Sequence, residues 1–257
     1  MFENEKTNLK IVGVIPARYA STRFPGKPLA DICGKPMIWW VYEEFSKIND
    51  LSEIYIATDD IRIEKECKKY GINVVMTSDK HPTHLDRLGE FAQKVNADFY
   101  ININGDEPLV KSENIEKIIP IQVDPNEFYI ANAMTTISNP TEVVDFSRIK
   151  IAVDMNGYAM YMARSPIPYP KSSSDFQYNK FVGIQCFSKS ALQFCSITKR
   201  GVIESIEDID EYRFLENGKK IKMISVNTDS LSVDMPKDLE KIRSIIRRKI
   251  NSGEITI

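Results

Sequence analysis

The sequence predicts an α/β fold built on a mostly parallel sheet flanked by helices, on three observations. β-Branched runs alternate with amphipathic stretches from residue 11 onward, a basic Pro/Gly-rich segment breaks off directly after the first run, and the composition is that of one large globular core. Strands that alternate with helices pair in parallel through right-handed crossovers. The chain of 257 residues therefore reads as a single α/β domain over 11–257, with residues 1–10 as a polar extension.

The elements follow in order. "IVGVI" (11–15) is a buried strand, because β-branched side chains suit a pleated surface covered on both faces. "PMIWWVYEEFSKI" (36–48) has proline at a first helical position and an apolar stripe through Ile38, Val41, Tyr42 and Phe45. "EIYIATDD" is a strand, "IRIEKECKKYG" a charged helix closed by Gly71, "INVVMTSD" a third strand, "LDRLGEFAQKV" a helix, and "DFYININGDEPLV" a strand entering a turn. Beyond residue 120 the pattern loosens. "FYIANAMTTI", "IKIAVD" and "AMYMARSPIPYP" read as strands, "DFQYNKFVGIQCFS" as a loop entering another, and residues 120–185 as a smaller lobe. Ser188 to Thr198 and "IESIEDIDEYRFLENGKK" are expected helices, "IKMISVNTD" a late strand, and Pro236 to about Lys249 the last helix.

Several function classes fall away. A net charge of −2 argues against a general nucleic-acid or membrane binder, so any anion site must be local. "MFENEKTNLK" is too polar for a secretory core and no apolar run is long enough to span a bilayer, which points to the cytoplasm. Cys33, Cys67, Cys186 and Cys195 have no C-x-x-C spacing and read as buried thiols. His81 and His84, the two histidines, give little support to a metal site of their own or to a Ser/His/Asp triad.

The basic segment after the first strand carries Arg18, Arg23 and Lys27 among Ser21, Thr22 and Gly26. Ligands in open α/β sheets bind beyond strand carboxyl ends, and guanidinium, ammonium and free backbone N–H groups together can surround a polyphosphate. A solvated surface loop is the alternative; the pattern is not that of a P-loop. "INGDEP" sets Asp106 and Glu107 just past another strand, where an acid can reach a metal-bound phosphate. Asn104-Gly105-Asp106 is also ordinary turn chemistry. Asp234 in "SVDMPKDLEK" reads on its own as a helix N-cap.

"VIPARYASTRFPGKPLADICGKPMI" closely resembles the opening of the 3-deoxy-manno-octulosonate cytidylyltransferases. "YIATDD", "ININGDEPLV", "MYMARSPIPY" and "SVDMPKDLEKIR" continue that resemblance in order. It implies a Rossmann-like nucleotide-diphospho-sugar transferase fold and transfer of CMP from CTP to an anionic acceptor with Mg2+ and release of pyrophosphate. It also implies a homodimer formed through the smaller lobe. By the same resemblance Arg18, Arg23 and Lys27 sit on the CTP phosphates with Ala17, Arg87 and Asn104 near the nucleotide, while Asp106 and Asp234 hold the metal. Arg23, Lys27, Asp106 and Asp234 would then be the catalytic set.

The resemblance also marks departures. "HPTHLDR" keeps His81, Asp86 and Arg87 but has Thr83, His84 and Leu85 where the family reads Ser-Gly-Thr, and Asn104 stands where it commonly has Gln. Arg164 matches the acceptor-carboxylate position. Lys180, Gln185, Asp210 and Glu211 occupy acceptor positions with altered chemistry, Lys180 and Gln185 in "KFVGIQ" where the family reads R-H-x-G-I-Y. Lost hydroxyl partners should discriminate strongly against the original substrate. The expected acceptor is thus an anion such as a modified sugar acid, a phosphonate or a phosphorylated small molecule. The competing expectations are a catalytically silent nucleotide-binding module and an enzyme of the same mechanism that uses another nucleotide.

Overall fold

The computed structural model describes residues 9–21, 23–120, 122–173, 175–228, 231–233 and 235–255. Strand β1 (Ile11–Ala17) is buried at all but Pro16, as its β-branched run requires when helices cover both faces of a sheet. After the basic loop, β2 (Asp31–Ile32) and β3 (Lys35–Pro36) form a small antiparallel ladder, and Pro36 leads into α1 (Met37–Ser46). Then come β4 (Glu53–Thr58), α2 (Ile61–Lys69), β5 (Asn73–Met76), α3 (His84–Lys94) and β6 (Phe99–Ile103). Strand β1 pairs in parallel with β4 and β6, and β4 with β5, as the alternation of periods predicts.

The second half supplies α4 (Ser112–Glu116), β7 (Ile130–Thr136), α5 (Thr141–Val144), β8 (Lys150–Val153), β9 (Ala159–Ala163) and β10 (Asn179–Ser188). It continues with α6 (Lys189–Ile197), α7 (Val202–Glu207), α8 (Tyr212–Leu215), β11 (Lys222–Ser225) and α9 (Pro236–Asn251). The sheet order is β11–β7–β10–β6–β1–β4–β5, and β8 pairs with both β10 and β9 outside that path. Strand β10 is antiparallel to β6, β7 and β8, while β11 and β7 are parallel, so the sheet is mixed but mostly parallel. The register of β10 against β7 shifts between Phe181 and Gln185.

Two apolar layers cover the sheet. Ile15, Phe45, Ile101 and Ile184 belong to one, and Val12, Val14, Leu88, Phe91 and Tyr100 to the other. Each fully buried aliphatic or aromatic side chain contributes roughly 1.5–3 kcal/mol relative to exposure. Helix α9 adds a third cluster by laying Leu239, Ile242 and Ile246 against Ile32, Met37 and Trp40.

Two details differ from the sequence reading, and the start of the last helix agrees with it. The stretch expected as one helix from Ile203 is broken between α7 and α8, because Asp208 adopts φ 52° and a left-handed residue cannot continue a right-handed helix. Cys67, Cys186 and Cys195 are buried, but Cys33 is only half-buried in the β2–β3 turn, also with a positive φ. The last helix starts behind Met235, whose backbone N–H donates to Asp238 Oδ2 at 2.8 Å, and runs to Asn251.

Candidate active site

The polypeptide leaves β1 at Ala17 and folds the basic loop back on itself. Gly26 N–H donates to the Tyr19 carbonyl at 2.9 Å, and Phe24 N–H donates to Ser21 Oγ at 3.2 Å. Gly26 has φ 71°, a conformation glycine adopts without steric cost. Lys27 then opens a short 3-10 turn over buried Pro28. Its ammonium donates to Asp106 Oδ2 at 2.6 Å and to the Val233 carbonyl at 2.9 Å.

Asp106 lies in the turn after β6, held by main-chain bonds to remote segments. Val233 N–H donates to the Asp106 carbonyl at 2.9 Å, and Asn104 N–H to the Gly183 carbonyl at 3.0 Å. Gly183 N–H returns a bond to Glu107 Oε1 at 3.0 Å. A side chain at Gly183 would overlap the Glu107 carboxylate and the Asn104 amide, so this part of β10 must be bare backbone. Asp234, the second predicted carboxylate, lies outside the described residues.

These segments border a cleft of about 630 Å3. Ala17, Arg18, Arg23 and Lys27 line it from the basic loop, Asn104 and Asp106 from the end of β6, Arg87 from α3, and Arg164 from beyond β9. Arg18 and Arg23 are exposed there. Arg87 is only 4% exposed, and its guanidinium holds Asp59 Oδ2 at 2.8 Å and the Thr77 hydroxyl. Its charge is therefore already compensated within the fold. Arg164 donates from Nη2 to the Asp208 carbonyl at 2.9 Å, from Nη1 to the Phe146 carbonyl at 3.2 Å, and from Nε to the Glu207 carbonyl. Neutral carbonyls fix the direction of this guanidinium without cancelling its charge.

The other four predicted acceptor residues are not part of the cleft lining. Lys180 is paired with Glu142 and borders a separate cavity of about 40 Å3 beside Arg148 and Glu107. Gln185 is 1% exposed, accepts from Asn102 Nδ2 at 2.7 Å and donates to Glu211 Oε1. Burial pushes the Glu211 carboxyl up to about 7. Asp210 Oδ2 lies 2.6 Å from His84 Nδ1. Although burial works against both charges, each carries the other: Asp210 raises His84 to about 9, and His84 holds Asp210 below its ordinary value.

His84 lines the cleft; the sequence marked it as a departure from the family pattern and gave little support to a metal role, but did not show its carboxylate partner. His84 begins α3 directly after Thr83, whose hydroxyl caps the helix by accepting from Asp86 N–H at 3.2 Å. The cap was recoverable from the Thr-x-x-Asp spacing; the partner 126 positions away was not. The other histidine, His81, bonds Glu90 through Nε2. Behind this wall Arg213, 1% exposed, holds Glu204 in a fork at 2.6 and 3.0 Å and reaches Asp86 Oδ1 at 2.5 Å.

Of the two predicted metal carboxylates Asp106 is the described one, and with Lys27 on its Oδ2 it offers its other oxygen to a hard divalent cation. Magnesium takes hard oxygen ligands, few of them from protein, and completes its shell with water and substrate phosphate. Asp106 presents such a carboxylate, with its side chain 28% exposed at the cleft beside the basic loop. Among the described residues no group of three or more His, Cys, Asp or Glu gathers as a closed metal cage would require.

A cytidylyltransferase family model matches residues 12–221. The mitochondrial 3-deoxy-manno-octulosonate cytidylyltransferase of Arabidopsis thaliana is 39% identical over 252 residues, 96% of this chain and 86% of the relative. The 8-amino-3,8-dideoxy-manno-octulosonate cytidylyltransferase of Shewanella baltica is 38% identical over 237 residues, 91% of this chain and 97% of its own. Among solved structures, a CMP:2-keto-3-deoxy-manno-octonic acid synthetase complexed with CTP superimposes with TM-score 0.88 at 37% identity, covering 93% of this chain and 99% of the other.

Proposed function

The chain belongs to the cytidylyltransferase family, and from that premise we propose that it transfers CMP from CTP to a sugar acid such as 3-deoxy-manno-octulosonate, releasing pyrophosphate. The observation that carries this reading is the meeting of Arg18, Arg23 and Lys27, beyond β1, with Asp106, beyond β6, around one cleft. An acceptor hydroxyl oxygen forms a bond to the α-phosphorus as the bond to the α,β-bridging oxygen breaks. Pyrophosphate leaves with that electron pair, and the hydroxyl proton passes to solvent.

In this reading Arg18, Arg23 and Lys27 neutralise the β- and γ-phosphates and hold the leaving group in line with the attacking oxygen. Ala17 and Asn104 border the nucleotide, with Arg87 behind it. Arg164 takes the acceptor carboxylate, for which its uncancelled charge is suited. Asp106, with Asp234 as its partner, would hold Mg2+, which when bound supplies charge neutralisation at the α-phosphate and at the attacking oxygen. Release of pyrophosphate from CTP, measured with sugar acids, phosphonates and phosphate monoesters as acceptors and abolished by EDTA, tests the whole reading. CTP binding without turnover of any acceptor would replace it with a silent nucleotide-binding module. Competition by UTP and ATP tests the base.

A second reading concerns the acceptor. Lys180, Gln185, Asp210 and Glu211 are each engaged by another side chain, which favours an anionic acceptor with fewer hydroxyl contacts than 3-deoxy-manno-octulosonate. Rapid turnover of that sugar acid and of nothing else in the panel rejects it.

The same reading makes the molecule a homodimer. Phe146, Met155, Met160, Tyr161 and Tyr169 are exposed around the β8–β9 hairpin, within the 120–185 lobe, and apolar patches of this kind mark association surfaces. Sedimentation at micromolar concentration distinguishes dimer from monomer. All four cysteines are free thiols, which suits the cytoplasm proposed as its compartment.

A further inference from the structure

The basic loop carries its cations toward the cleft and the Tyr19 ring toward the core. Arg18 and Ala20 line the cleft, while Tyr19 between them packs on the core layer behind β1. The Arg62 guanidinium lies over the Tyr19 ring, with Cζ 3.3 Å from the ring centroid. Arg62 is fixed in turn by Asp60, which accepts from Nε at 2.9 Å and Nη2 at 2.6 Å and also caps α2 by accepting from Arg62 N–H at 2.8 Å. The far side of the loop closes on the same ring. Gly26 donates to the Tyr19 carbonyl, and a Cβ at Gly26 would stand 3.0 Å from the ring's Cζ and hydroxyl oxygen. Ala20, Ser21, Arg23 and Phe24 are thus carried between Tyr19 and the Gly26 turn that closes on it.

We propose that Arg62 and Tyr19 are positioning residues for the nucleotide. The guanidinium–ring stack joins the start of α2 to the base of the basic loop and sets the spacing of Arg18, Arg23 and Lys27 before CTP arrives. Neither side chain touches the phosphates in this role. They act by reducing the ordering that the loop must undergo on binding, which is how preorganisation raises affinity. The proposal rests on the CTP-binding reading above.

Arg62 has a side chain 56% exposed, so its removal leaves the core intact. Arg62→Ala is expected to raise the Kd for CTP, and the KM for CTP, about two- to fivefold, the range for an exposed cation–π contact. The KM for the acceptor should stay at its wild-type value, and the urea midpoint should fall only by the small amount that loss of an exposed contact implies. Arg62→Lys, which keeps a cation over the ring, should recover most of the loss, as should Tyr19→Phe relative to Tyr19→Ala. The Arg62→Ala and Tyr19→Ala effects on CTP affinity should fall short of additive in the double variant, because both remove the same contact. Wild-type affinity in Arg62→Ala, or full additivity in the double variant, overturns the proposal while leaving the CTP reading in place. A wild-type protein that binds no CTP overturns that reading and the proposal with it.

Discussion

Removing the cation from the His84–Asp210 pair gives the sharpest test of how the cleft wall is held. With Nδ1 2.6 Å from Asp210 and the imidazole raised to about 9, His84 binds its proton more tightly in the folded chain than in the unfolded one, where the ordinary value is about 6.5. Stability from this pair is fully present below about pH 6.5, falls as pH rises toward 9, and is gone above that. The difference of about 2.5 units corresponds to ~3 kcal/mol across the window. Glu211, raised to about 7 by burial, acts in the same direction but over a lower range, from about 4.5 to 7. Urea denaturation of wild type and His84→Gln at pH 6, 7.5 and 9.5 separates the two. Wild type should lose ~3 kcal/mol through His84 between the first and last, and ~1 kcal/mol more through Glu211 as pH passes 7. His84→Gln should start lower and fall less steeply, because only the buried carboxyls Glu211 and Asp210, both of which His84 holds down, then titrate, and the two should converge at pH 9.5. Parallel pH profiles for both proteins would refute the assignment of the charge to His84.

Other outcomes follow from the same geometry. Asp106→Asn should lower pyrophosphate release on the order of 100-fold or more, because the lost carboxylate serves charge stabilisation at the reacting phosphate; an unchanged rate removes Asp106 from the metal site. Arg164→Ala should raise the KM for the acceptor roughly 10- to 100-fold, as loss of a charge-assisted hydrogen bond implies, with the KM for CTP unaltered in the same steady-state assay. Arg213→Met leaves Glu204 and Asp86 without their shared cation and should cost about 3–5 kcal/mol in urea unfolding. Thiol titration of the native protein should find Cys33 reacting well ahead of Cys67, Cys186 and Cys195. Burial pushes the Cys67 thiol up to about 12 and raises the other two as well.

What was legible in the sequence was local. The β-branched run at 11–15 forces a buried strand, and the abrupt passage to Arg, Pro and Gly forces a loop at its carboxyl end, so the basic rim of the cleft could be located from residues 11–29. The turn after "ININ" placed Asp106 in the same way. Pairings between distant segments could not be read. Asn102, Gln185 and Glu211 form a buried polar chain, but each is an unremarkable residue in its own stretch, and only the antiparallel crossing of β6 and β10 brings the first two together. The break at Asp208 was hidden for a related reason. Helical spacing of apolar residues persists on both sides of it, and one left-handed residue among many acidic ones leaves no pattern. The CTP-binding and acceptor-binding assignments needed the family resemblance, because a charged loop and a scattered set of polar residues have many uses.

Strand β10 acts mechanically as a shared beam. It is bonded to β6 on one side, to β7 on the other, and near its start to β8. At its irregular middle, Gly183 grips both Asn104 and Glu107. The turn bearing Asp106 is therefore shaped by atoms of a strand that also pairs with β7 and β8. Movement of this strand would therefore reach the turn through two hydrogen bonds of Gly183, one to the Asn104 main chain and one to the Glu107 carboxylate.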